Sequence, residues 1–415
     1  MAVTRAIMQL RPILAALSRH KVATLLIVLQ VALTLAVTSN ALFIVATRVV
    51  HLSRASGVDE SHLFAIRNGW KGGQNATQID ANIRADLEAL RHVSGVRDVF
   101  SSQAYPLENY GVRLAGVRLK ADQTKRPPVG VVYLADEHAI DTLGVTLEEG
   151  RNFRPEEVST INPDGAMSAP GIIITRSLAD KIFPDGQGLG KTVYLPGGPS
   201  TVIGIIASLQ SPLTTTHTLD GDSILLPARS SDPDGVVYLV RTQSTGMTPV
   251  MAAALKSLEQ RGGMRIVDPN SGAVTLATAR EHAYATDRSV ATLLSIVCGL
   301  LLLATAGGIV GLSSFWVSQR RTQIGIRRSL GATTGDILRY FHAENFLIVS
   351  GGVVLGLVLA VLANIGLMNA YPLQVMPLYV PAIGALVLWG LGQLAVWGPA
   401  SYAAKVPPVV AIRTI

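Results

Sequence analysis

Four stretches of the chain are long, apolar and almost free of charge, and between the first and second lies a segment of quite different texture. Residues 22–47 carry no formal charge, nor do residues 289–317. Residues 345–404 stay uncharged for about 60 positions, too long for one crossing of a hydrocarbon core about 30 Å thick. Asn369-Ala370-Tyr371-Pro372, with Pro377 and Pro381, divides that run in two, because proline breaks a helix interior. The pattern predicts membrane helices over 22–50, 288–318, 345–368 and 382–400. A cleaved signal peptide would have an apolar core of only about 7–15 residues, so the first run reads as a retained helix. Its Thr34, Thr38, Ser39 and Asn40 favour a helix–helix contact over lipid. Tyr371 and Tyr379 suit a membrane interface.

Residues 51–287 are charged, rich in turns and of mixed α/β periodicity. Ile79, Ile83, Leu87 and Leu90 form a helical stripe over 79–90, and further helices are predicted at 177–182 and 250–260. Strand patterns occur at 63–67, 96–101, 112–119, 131–134, 171–175, 192–195, 201–207, 236–240 and 264–267. The arrangement predicts two lobes, the outer pieces pairing with each other and the middle inserted. The fold class expected is an α-helical membrane protein of four transmembrane helices. A large mixed α/β extracytoplasmic domain, residues 51–287, is inserted between helices one and two.

Composition agrees with a membrane protein: 49% of residues are hydrophobic and 15% charged, with a mean hydropathy of +0.38. A soluble domain carries about 25% charged residues. The net charge of +7 is unevenly placed. Residues 51–287 hold 22 basic against 26 acidic side chains, whereas the remainder holds 13 against two, Asp336 and Glu344. The basic groups flank the apolar runs: Arg5, Arg11, Arg19 and Lys21 before the first, and Lys405 and Arg413 after the last. Between the second and third stand Arg320, Arg321, Arg327, Arg328 and Arg339. By the positive-inside rule, segments 1–21, 319–344 and 401–415 are cytoplasmic and the large domain lies on the other side. No motif supports nucleic-acid binding.

Little in the chain points to catalysis. The single cysteine, Cys298, excludes an internal disulfide and Cys-based metal sites. Asp185-Gly186-Gln187-Gly188-Leu189-Gly190-Lys191-Thr192 approaches a phosphate-binding loop but has Asp185 where the first glycine must stand. The eight histidines form no H-E-x-x-H, and no G-x-S-x-G occurs. Glu148-Glu149 and Glu156-Glu157, flanking a strand-like stretch at 150–153, read as solvated loop carboxylates. No cofactor or metal site is expected in this chain, and it is not expected to be an enzyme. Gly307-x-x-x-Gly311 and Gly352-x-x-x-Gly356 could each let two helices approach closely.

The basic loop is more specific than anchoring requires. Ile324, Ile326 and Leu330 are expected along one side of a short helix, with Arg327 and Arg328 on others. Gly331 would end it in a left-handed conformation. Thr333 or Thr334 would cap the next helix, with Asp336 in its first turn.

The run Ile324-Gly325-Ile326-Arg327-Arg328-Ser329-Leu330-Gly331-Ala332, followed by Asp336-Ile337 and an apolar helix, resembles the signature of the FtsX-like ABC transporter permeases, in particular their MacB-like branch. In the outer domain, Glu149-Gly150-Arg151-Asn152-Phe153, Gly190-Lys191-Thr192 and Val202-Ile203-Gly204-Ile205 are similar to that branch's periplasmic core domain. The resemblance implies a permease in a bacterial inner membrane that dimerises with a second copy or a paralogue and binds cytoplasmic ABC ATPase subunits. ATP and Mg would be held by the ATPase, and its closure relayed to the periplasmic side, an action termed mechanotransmission. Ile324, Gly325, Ile326, Arg327, Arg328, Ser329, Leu330, Gly331 and Ala332 would form the ATPase contact. A periplasmic adaptor and an outer-membrane channel are further partners the resemblance suggests.

Macrolide exporters of the branch carry the ATPase fused ahead of the first helix. Here about 20 residues precede it, so a separate ATPase is expected. Gln323 stands where relatives commonly have an acid, removing one possible ion pair. The competing function is that of a non-transporting FtsX-like regulator that activates a periplasmic cell-wall hydrolase.

Overall fold

The computed structural model describes residues 21–404 apart from 72, 163, 164, 166, 214–218, 220, 233, 234, 263, 264, 268–271 and 371–374. Expectations for the amino-terminal segment, for Met264, for Tyr371 and Pro372, and for Lys405 and Arg413 lie outside the described residues. In chain order, α1 (Lys21–Leu52) leads into β1 (Leu63–Trp70), α2 (Ala76–Arg91), β2 (Val96–Ser102), β3 (Arg113–Gly116), β4 (Val129–Ala135) and α3 (Ala139–Leu143). Next come β5 (Leu147–Gly150), β6 (Ser159–Ile161), β7 (Gly171–Thr175), α4 (Arg176–Ile182), β8 (Thr192–Leu195), β9 (Gly198–Ile206) and β10 (Ser223–Ser230). The domain closes with β11 (Val236–Thr242), α5 (Met247–Gln260), β12 (Arg265–Ile266), β13 (Ala273–Thr275) and α6 (Leu276–Ala283). Four helices follow: α7 (Ala285–Gln319), α8 (Arg321–Ser329), α9 (Thr334–Ala370) and α10 (Tyr379–Ala404). The chain divides into a helical unit (Met1–Ser53 with Asp287–Ile415) and an α/β unit (Arg54–Thr286).

The α/β unit holds two sheets. The outer segments make the first, in the order β12-β1-β11-β2, with β13 also on β1. The middle segment makes the second, in the order β3-β4-β10-β7-β9-β5, with β6 on β10 and β8 on β9. The period-two alternation of β1 buries both its faces: Leu63 and Ala65 enter a core shared with Tyr133, Ile173 and Leu225 of the second sheet. Phe64 and Ile66 face the opposite way, against Ile83 and Leu87 of α2 and Ala254 and Leu258 of α5. The far face of the second sheet is covered by Leu178, Ala179 and Ile182 of α4.

The central strand β10 has no counterpart in the pattern reading, since Ser223-Ile-Leu-Leu-Pro-Ala-Arg-Ser alternates poorly and contains a proline. Pro227 is tolerated because it sits at a handover. It is the last residue paired with β4, opposite Ala135, and Ala228 is the first paired with β6, opposite Ser159. Helices α3 and α6 and strands β6 and β13 are likewise additions. The strand-like reading of 150–153 moves to β5, which ends at Gly150.

Of the paired carboxylates, Glu148, Glu149 and Glu157 are engaged in ion pairs. Arg176 binds Glu148 and Glu149, and Arg151 binds Glu157 at 2.6 Å. That donation from Arg151 holds the Glu157 carboxyl down at about 2. The phosphate-loop lookalike is the link between α4 and β8.

Buried polar chemistry concentrates at Asp86, a residue on the apolar face of α2 with no exposed side-chain surface. Its carboxylate accepts from Arg265 Nη1 at 2.6 Å, Arg261 Nε at 2.9 Å and the Tyr238 hydroxyl at 2.6 Å. One acid thereby ties α2 to β11, α5 and β12. Burial, with the Asp86 charge beside it, pushes the Tyr238 phenol well above its ordinary range.

In the helical unit, α1, α7, α9 and α10 are each long and apolar enough to cross a membrane. Helix three begins at Thr334 rather than 345: charge at Arg339 and Glu344 ends an apolar window without ending a helix. Helix four begins at Tyr379 rather than 382. Pro381 falls in its first turn, where a missing N–H breaks no intrahelical bond. The polar residues of α1 make interhelical contacts: Thr34 Oγ1 lies 2.7 Å from Thr305 Oγ1, and Asn40 Nδ2 donates to the Ala360 carbonyl at 3.0 Å.

Of the two small-residue pairs, Gly352 and Gly356 pack on α1. A Cβ at Gly352 would come within 2.7 Å of Val31 Cβ, and one at Gly356 within 2.9 Å of Leu35 Cβ. Gly307 and Gly311 have open space around them, and the close approach on α7 is at Gly308, beside Gln30. Gly356→Leu therefore has no room. We expect it to separate α1 from α9 and to cost about 1–3 kcal/mol or more, read as a lower thermal transition in detergent, with Gly307→Leu unchanged.

Candidate coupling site

The short helix α8 has an apolar residue at 324, 326 and 330, but at about 100° per residue Ile324 and Ile326 are on opposite sides. The expectation of one shared stripe is therefore corrected. Ile324 is buried with Ile337 and Phe341 of α9 and Ala404 of α10, and Gly325 is buried beside it. Ile326 and Leu330, four residues apart, share the outward side and are 50% and 83% exposed. Arg327 is exposed and Arg328 half-buried. The Ser329 hydroxyl is spent internally, donating to the Gly325 carbonyl at 2.9 Å.

Both ends of the linker are capped. Gly331 takes φ +97°, and its N–H donates to the Arg328 carbonyl while the Ala332 N–H donates to that of Arg327, each at 3.1 Å. This is the Schellman pattern, which satisfies the carbonyls a helix terminus leaves open. Thr333 then caps α9. Its hydroxyl accepts from the Asp336 N–H at 3.2 Å, while Asp336 Oδ2 accepts from the Thr333 N–H at 3.1 Å. Only Leu330 to Thr333 separate the two helices, and their backbone groups are largely bonded.

The strongest tie was not anticipated by motif reading. Arg320, at the joint of α7 and α8, donates through Nη1 to Glu344 Oε2 at 2.9 Å and Oε1 at 3.1 Å. The two side chains are 14% and 2% exposed. Arg327 lies 5.0 Å from the centroid of the Tyr340 ring, one turn below Glu344 on α9. His342 Nδ1 sits 2.7 Å from Gln393 Oε1, joining α9 to α10. A signal for the ion pair did exist. Glu344 is the last acid in the chain and stands at the edge of an apolar run, where an unpaired carboxylate is costly. Among the described residues, no group of three or more His, Cys, Asp or Glu side chains is placed to hold a metal ion.

The MacB-like periplasmic core domain family matches residues 25–260, and the FtsX-like permease C-terminal family matches residues 295–408. The first match alone spans more than half of the chain. The chain is an FtsX-like permease with a MacB-like periplasmic core domain. As a member of that family it is a membrane protein with four apolar helices and its α/β domain between the first two.

Among relatives of this FtsX-like permease, the macrolide export ATP-binding/permease protein MacB of Neisseria meningitidis serogroup A is 28% identical over 298 residues, covering 68% of this chain and 43% of that protein. The chain thus spans less than half the length of that relative. The uncharacterized ABC transporter permease YknZ of Bacillus subtilis is 23% identical over 339 residues, covering 79% of this chain and 78% of the relative. Among solved structures, the periplasmic region of MacB from Actinobacillus actinomycetemcomitans aligns with 56% of this chain and 97% of its own, at 14% identity and a TM-score of 0.33.

Proposed function

We propose that this chain is the permease subunit of an ABC complex of the mechanotransmission type. In this reading a cytoplasmic ATPase, separate from the chain, docks on α8 and moves a periplasmic domain to extrude a substrate. The observation that carries it is the exposed Ile326–Leu330 pair on a short basic helix that is capped at its end and tied back by Arg320 and Glu344. Exposed apolar side chains on an otherwise polar helix suit a partner's groove, each contributing about 1.5–3 kcal/mol on full burial. Arg327 supplies positive charge beside them, and Ile324 and Gly325 seat the helix on its own bundle.

The basic rims support an orientation with both termini cytoplasmic in a bacterial inner membrane and the α/β domain periplasmic. ATP and Mg belong to the ATPase in this scheme. The complex is a dimer of this chain with itself or a paralogue, and an adaptor and an outer-membrane channel would extend the path.

The test is co-purification and ATPase stimulation with the chain in lipid. Ile326→Asp with Leu330→Asp should abolish both, as should Arg327→Glu with Arg328→Glu. Gly331→Pro should lower stimulation, since proline removes the N–H given to Arg328 and cannot adopt φ +97°. Variants that bind and stimulate the ATPase like the parent would overturn the proposal. Capture of a cell-wall hydrolase, with no extrusion activity, would shift the reading to a regulator.

A further inference from the structure

Where the two sheets of the α/β unit meet, ionisable side chains from both gather in one cluster. Asp98 comes from β2 of the first sheet and Arg91 from the end of α2. Asp136, Glu137 and His138 form the link from β4 of the second sheet to α3. By sequence α3 belongs to the middle segment, yet its Ala139, Ile140 and Leu143 are buried with Phe100 of β2 and Leu239 of β11. A change of charge at the start of α3 therefore acts on the contact between the sheets.

The polar contacts run across that join. His138 Nδ1 lies 3.0 Å from Asp98 Oδ2, and the His138 N–H donates to Asp136 Oδ1 at 3.0 Å. Asp98 Oδ1 accepts from the Val99 N–H at 2.8 Å and lies 3.7 Å from Arg91 Nε. His138 Nε2 lies 3.7 Å from Glu137 Oε1, and Asn152 donates to the Glu137 carbonyl at 2.7 Å. Charges on the neighbouring elements are engaged elsewhere. Arg241 of β11, opposite Asp98 in register, gives Nη2 to Asp59 and Nη1 to the Asp141 carbonyl. Glu88 and His92, also near the end of α2, are exposed and face each other at 3.6 Å.

The cluster is rich in acid: three carboxylates face one guanidinium and one imidazole. Asp136 is 1% exposed, and among the described residues no cation lies within ion-pair distance of it. Glu137 Oε2 and Arg91 Nε are buried without a hydrogen-bond partner among those residues. A buried carboxylate beside other acids favours its neutral form, and burial pushes Asp136 up to about 6. The hydrogen bond to Asp98 raises His138 above its ordinary value. Both groups thus hold a proton more tightly in the folded chain than in the unfolded one. Their contribution to stability is complete below about pH 4. It is lost as pH rises through about 6 at Asp136 and then through the raised value at His138.

We propose that this cluster is a proton-operated latch: as the medium around the α/β unit acidifies, Asp136 becomes neutral and His138 becomes the charged partner of Asp98, fastening α3 to β2. The proposal is independent of the ATPase reading.

The test is amide hydrogen exchange on the full chain in detergent at pH 5.0 and 7.5, with rates divided by the intrinsic rate at each pH. Amides of α3 and β2 should be about tenfold better protected at pH 5.0, while those of β7 and β9 change little. Asp136→Asn, which is neutral throughout, should keep the protected state at both pH values. His138→Gln removes the charged partner of Asp98, so it should lower protection at pH 5.0 and leave a smaller response to pH. Equal protection of the parent at the two pH values, or an undiminished response in either variant, would overturn the proposal.

Discussion

Alanine at position 344 is expected to lower the stability of the helical unit by about 3–5 kcal/mol, because it strands the Arg320 guanidinium in a place built for a pair. Glu344 is 2% exposed and Arg320 14%, so solvent can replace little of what is lost. Removing one partner at such a site costs far more than on an open surface, where an ion pair contributes about 0–1 kcal/mol. Thermal or denaturant unfolding of the purified chain in detergent reads the loss. Glu344→Gln should fall between, since its amide oxygen still accepts a hydrogen bond. The double change Arg320→Met with Glu344→Leu should recover much of the stability by filling the same volume with apolar groups. It should not recover ATPase stimulation, if that stimulation needs α8 held at a set angle to α9. An unfolding transition for Glu344→Ala equal to the parent's would show that Arg320 has an adequate partner elsewhere.

Asp86→Ala should have the comparable effect on the α/β unit. Removing the carboxylate leaves Arg265, Arg261 and the Tyr238 hydroxyl without the acceptor they share. The expected cost is again about 3–5 kcal/mol, seen as earlier denaturant unfolding and faster amide exchange in α2 and β11. Asp86→Asn keeps the volume but not the charge, and should lose most of the same stability. Arg84→Ala is the control: Arg84 is 60% exposed and its partner Asp80 keeps Thr160 and Arg229, so a change of under about 1 kcal/mol is expected. Exchange rates in α2 and β11 that match the parent's for Asp86→Ala would mean the cluster is dispensable.

Several parts of the fold are legible from residue order alone. Uncharged runs of membrane length, separated by clustered arginine, identify four spans whatever the side chains later do. The stripe of Ile79, Ile83, Leu87 and Leu90 marks α2, and Gly331 followed by Thr333 and Asp336 marks the turn from α8 to α9. Other features are hidden because their cause is distant in sequence. Strand β10 is unremarkable locally and becomes central only because β4, β6 and β7 supply partners from 50 to 92 positions upstream. Ile324 and Ile326 look alike as letters, and their opposite fates follow from the helix turn and from which side α9 and α10 occupy.

Local chemistry along the chain was therefore enough for the number of spans, the place of the inserted domain and the helix–turn–helix at 321–336. These depend on hydropathy over short windows and on backbone preferences of single residues. The three-dimensional arrangement alone decided that Glu344 answers Arg320, that Asp86 gathers two arginines and a tyrosine, and that Gly352 and Gly356 meet α1 while Gly307 and Gly311 meet open space. Those outcomes depend on which groups share a low-dielectric interior, a property of packing between segments that no stretch of sequence carries by itself.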